Sequence, residues 1–68
     1  MKMNLLLLID TALENASVAL CGDSRLLSVK TNNAQNDHAA WIPTAISTLF
    51  RETGHDLSQL SAVAATSG

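Results

Sequence analysis

The sequence contains a single cysteine, Cys21, in 68 residues, so no intrachain disulfide can form. It contains two histidines, His38 and His55. A four-ligand zinc site would have to combine these with Cys21 and a carboxylate, and no pair among them has metal-ligand spacing. Lysine and arginine are scarce, and the four present (Lys2, Arg25, Lys30 and Arg51) are scattered along the chain. A nucleic-acid surface needs such residues clustered, so direct nucleic-acid contact by this segment is not expected. The formal net charge is −2, with no acidic tail. Long apolar runs are missing as well. Leu5–Ile9 follows Lys2 but stops at Asp10, whereas a secretory leader needs roughly 7–15 apolar residues and a membrane span roughly 20. The expectation is a cytoplasmic protein that keeps a reduced thiol and has no membrane contact.

The residues that are present describe a small folded unit. Hydrophobic residues make up 47% of the chain, which argues against disorder. A chain of this length supports one domain at most and buries a small share of its surface. With disulfide and metal excluded, oligomerisation or a longer chain is the remaining support. The halt at Gly68, directly after a strand, reads as a truncation of a larger domain.

Leu5–Ile9 has strand length and is apolar on both faces, which suits a central strand covered on both sides. Asp10 and Thr11 then open a turn through Glu14 and Asn15. Ser17–Cys21 reads as a second strand and Leu26–Thr31 as a third. Gly22-Asp23-Ser24 is a tight-turn signal between them. Such short connections imply antiparallel hairpins. After a polar loop, Asn36 or Asp37 is a suitable N-cap for a helix that runs to about Thr53, with Gly54 as its C-cap. Pro43 lies within that helix, so either a start near Ala40 or a kink is expected. Ile42, Ile46, Leu49 and Phe50 form the face directed at the sheet, with Trp41, Ala45 and Thr48 on a flanking stripe. Leu57–Leu60 reads as one short turn. Ala62–Thr66 reads as a fourth strand, parallel to the first and beside it. The order β-β-β-α-β, with a mixed sheet, is an α/β start of a ribonuclease H-like fold.

Three stretches carry a family resemblance. Ile9-Asp10-Thr11-Ala12 followed by Ser17-Val18-Ala19-Leu20 resembles the opening of the TsaB (YeaZ) family. His38 at the helix start, Gly54 at its end and Leu57-Ser58 after it are similar to the family, as is Leu60–Gly68. The resemblance spans nearly the whole chain in order, and residues 1–68 would be part of the N-terminal ribonuclease H-like domain of a longer protein. It implies an actin-like ATPase (ASKHA) fold that has lost catalysis. It further implies a scaffold subunit of the bacterial complex that makes threonylcarbamoyladenosine on tRNA. The partners implied are a TsaD-like catalytic subunit, a TsaE-like ATPase and, through the first helix, a TsaD-like chain or a second copy of this one. Transfer RNA would be met only indirectly.

The individual residues admit a functional and a structural reading. Asp10 and Thr11 stand where the superfamily places its phosphate loop. The turn Asp10-Thr11-Ala12-Leu13 has no glycine to let backbone N–H groups approach a phosphate. Weak residual nucleotide contact and a plain turn cap are the two readings, and no other cofactor is implied. An active kinase or ATPase of the same superfamily is the alternative function, and it would show Asp-x-Gly-Thr/Ser at this place. A small self-associating α/β module is the third. Glu14 with Asp10 could serve acid–base chemistry, but no third catalytic group is close in sequence. The TsaD family's His-x-x-x-His metal motif is absent, because positions 34 and 42 are Ala34 and Ile42. His38 therefore reads as a surface or interface residue and His55 as an exposed one. Cys21 has no cationic neighbour in sequence to activate it and reads as a buried structural residue. Trp41 is the sole tryptophan and could anchor a partner or pad the edge of the core. The partner-interface candidates are His38, Trp41, Ala45 and Thr48.

One helix can cover only one face of the sheet. The bare face predicts that the 68-residue chain self-associates or dissolves poorly on its own. Light scattering that showed a well-folded monomer at moderate concentration would contradict this.

Overall fold

A computed structural model describes residues 4–11, 15–33 and 38–67. The elements are β1 (Leu5–Thr11), β2 (Ala16–Gly22), β3 (Arg25–Asn32), α1 (His38–Thr53), a single 3₁₀ turn over Leu57–Gln59, and β4 (Leu60–Ser67). The strands form one mixed sheet in the order β3-β2-β1-β4. β2 runs antiparallel to both β1 and β3, and β4 runs parallel to β1. The α/β half-lobe expected from the sequence is therefore present, with the fourth strand beside the first.

Alternation along the strands defines the core. In β2, Ala16, Val18, Leu20 and Gly22 are buried while Ser17, Ala19 and Cys21 are half-buried. Register places Leu7 opposite Leu20 and Ile9 opposite Val18, so these side chains share one face. α1 packs on that face over β2 and β3. It contributes Ala45, Leu49 and Phe50 to a cluster with Leu5, Leu7, Val18 and Leu20. Each large apolar side chain taken out of water there contributes about 1.5–3 kcal/mol.

The buried stripe of α1 differs from the expected one. Ala45 is 4% exposed and lies in the core, whereas Ile42 and Ile46 are half-buried at its margin. The alanine has no side chain beyond Cβ, so it is the point where the helix can approach the sheet most closely. The bulkier isoleucines, one turn apart, then fall together on one side of it.

The hairpin between β2 and β3 turns on Asp23 and Ser24, with φ of 51° and 68°. Two consecutive positive φ values match the twist of a two-residue hairpin. Asp23 is held on both sides. Its backbone N–H donates to the Asn4 carbonyl at 3.0 Å, and its Oδ1 accepts from the Asn4 N–H at 3.0 Å. The register of β2 on β3 shifts between Leu20 and Cys21. Leu27 is the extra residue at that bulge, and it packs against the core.

α1 begins at His38 and continues through Pro43, so the start near Ala40 does not occur. Proline removes only the bond to the Ala39 carbonyl, near the helix start, and its ring is exposed. The expected caps Asn36 and Asp37 lie outside the described residues. The C-terminus follows expectation. Gly54 has φ of 74°, and its N–H donates to the Phe50 carbonyl at 3.1 Å. Lys30 Nζ lies 2.8 Å from Glu52 Oε1, pinning β3 to α1. Both groups are partly solvated, so this pair contributes no more than about 1 kcal/mol.

Serine in the left-handed region is strained by roughly 1–2 kcal/mol relative to glycine. Ser24→Gly is expected to raise stability by about 1 kcal/mol, read as a higher urea midpoint. Leu49→Ala, at a fully buried position, is expected to cost about 2–5 kcal/mol in the same assay. An unchanged midpoint for Leu49→Ala would contradict the packing described.

Candidate functional site

The two parallel strands β1 and β4 end side by side, with Asp10 in register with Thr66. In open α/β sheets the carboxyl ends of parallel strands are where ligands bind. Asp10 and Thr11 are not turn residues, as the sequence suggests, but the last two residues of β1. They are kept extended because they pair with β2 on one side and β4 on the other.

Thr66 Oγ1 donates to Asp10 Oδ1 at 2.8 Å. Thr11 Oγ1 donates to the Thr66 carbonyl at a longer 3.4 Å. The aspartate and its threonine partner are both exposed. The carboxylate of Asp10 is thus engaged by a neutral hydroxyl. Glu14, the other half of the suggested carboxylate pair, lies outside the described residues, as do Ala12 and Leu13. Among the described residues, no three His, Cys, Asp or Glu side chains group as a metal site. A carboxylate beside one hydroxyl can orient a polar group or accept a further hydrogen bond, and among the described residues no neighbour marks it as half of a proton-transfer pair.

The helical stripe proposed for partner contact is divided by the fold. His38 forms the first residue of α1. Trp41 is half-buried and packs against the core, so it pads the core edge in this structure. Ala45 points into the core and cannot meet a partner, because the helix lies on the sheet at that residue. Thr48 is half-buried, and its hydroxyl donates to the Thr44 carbonyl at 2.9 Å. Cys21 is half-buried, not fully buried, because it points away from the helix. His55 is half-buried where exposure is expected, directly after the Gly54 cap.

The sequence gives little warning of the groove on the other flank of the helix. It is an open apolar depression of about 580 Å³ between α1, the 3₁₀ turn and β4. Leu7, Pro43, Ile46, Phe50, Leu60 and Val63 line it. Val63 is 56% exposed and Leu57, at the rim, 60%. The groove exists because α1 makes its main contacts with β2 and β3, away from β4. The available signal is the width of the apolar band on α1. Trp41, Ile42, Ala45, Ile46, Leu49 and Phe50 span more than one contact stripe needs. The opposite sheet face is apolar as well, with Leu8, Leu26 and Val29 exposed.

Comparison with solved structures places this geometry. YeaZ from Pseudomonas aeruginosa superposes with a TM-score of 0.83 at 33% sequence identity, over 93% of this chain. The chain is YeaZ-like in fold and in sequence. A second Pseudomonas aeruginosa structure, described as an uncharacterized protein with similarity to peptidase YEAZ, superposes with a TM-score of 0.82 at 33% identity over 93% of the chain. The chain spans 29% of the length of each of these YeaZ structures. No family model and no curated protein matches it. The YeaZ likeness agrees with the mixed sheet and with its order, consistent with an N-terminal half-lobe.

Thr66→Val removes the hydroxyl that Asp10 accepts from while keeping side-chain shape. The expected loss is no more than about 1.5 kcal/mol by urea denaturation, since one solvated hydrogen bond is involved. A loss as large as that of a core deletion would show that the bond holds the parallel strand pair together.

Proposed function

We propose that this chain is part of a non-catalytic partner subunit of the machinery that makes threonylcarbamoyladenosine on tRNA, where it supports a TsaD-like catalytic subunit. The observation that carries this reading is the likeness to YeaZ, at 33% identity over 93% of the chain. Two features support a role without catalysis. Asp10, at the place of a phosphate loop, is engaged by the Thr66 hydroxyl. The residues that follow it, Thr11-Ala12-Leu13, include no glycine, the residue that lets backbone N–H groups approach a phosphate closely. Nucleotide contact, on this reading, is weak or absent.

The apolar surface supports a role in assembly. Contiguous exposed apolar area on a small protein marks a surface that something else covers. The groove beside α1 and the bare face bearing Leu8, Leu26 and Val29 are two such areas. The subunit works in the cytoplasm, alongside a TsaE-like ATPase, and reaches tRNA through its partner. Among the described residues no helix is long and apolar enough to cross a membrane.

The test is co-purification of the full-length protein with the TsaD-like subunit of its own organism, paired with mass spectrometry of tRNA nucleosides after depletion. Stable co-elution and loss of threonylcarbamoyladenosine are expected. Tight ATP binding with turnover by the protein alone would favour the active-kinase reading instead, and unchanged tRNA would remove the proposal.

A further inference from the structure

We draw no further inference here: the strongest candidate, the apolar groove between α1 and β4 together with the uncovered outer edge of β4, carries nothing because nothing in the structure shows what covers it.

Discussion

The contact of Leu49 and Ala45 with the Val18 and Leu20 face of β2 is what the rest of the molecule depends on. β2 is the strand to which both hairpins attach, since it pairs with β1 on one side and β3 on the other. Fixing the helix on β2 therefore fixes which face of three strands is inward. A slip of one residue in either register would turn Leu7 or Leu20 outward and bring Leu8 or Cys21 in. The polar links are subsidiary. Lys30 with Glu52 and Asn4 with Asp23 tie edges that the apolar contact has already aligned. β4 depends on this arrangement least, because among the described residues it pairs with β1 alone and beyond Leu60 it is left largely bare.

That bareness accounts for the mixed character of β4. Its residues from Ser61 to Thr66 are exposed, yet Leu60–Ser67 carries no charge and no proline. Solvent-facing edge strands usually carry charged or proline residues that discourage pairing. The opposite edge has them in part, since β3 holds Arg25, Lys30 and the bulge that receives Leu27. The two edges of the sheet are thus chemically different, and only one is composed like a permanent boundary.

Much of the fold is legible in the sequence because it is encoded locally. Gly22-Asp23-Ser24 marks the hairpin, Gly54 ends the helix, and the apolar run Leu5–Ile9 marks the central strand. Each is a short-range signal with a backbone cause. Strand ends are less legible. Asp10 and Thr11 look like a turn because their side chains are polar, but pairing on both sides keeps them extended. The position of the helix across the sheet is less legible still. A helical wheel ranks Ile42 and Ile46 as core, whereas close approach at Ala45 is a property of two surfaces meeting. The same limit hides the groove, which is defined by what the helix fails to cover. The candidate site residues Asp10 and Thr11 are visible from sequence. Their partner Thr66 is fifty-six residues from Asp10 and visible only in the fold.

The groove and the strand ends belong to the same two strands, and this links the surface to the site. Leu7 and Val63 are in register and both line the groove, three residues before Asp10 and Thr66 on their own strands. Successive strand residues alternate faces, so an odd separation places Asp10 and Thr66 on the face opposite the groove. Material packed into the groove would therefore brace the β1–β4 pair from behind without contacting the Asp10 carboxylate. In that arrangement a surface can be loaded while the Asp10–Thr66 end of the strand pair keeps its local bonding. The Thr66 hydroxyl at 2.8 Å from Asp10 gives the carboxylate a partner within the sheet itself, on the face that the helix does not cover.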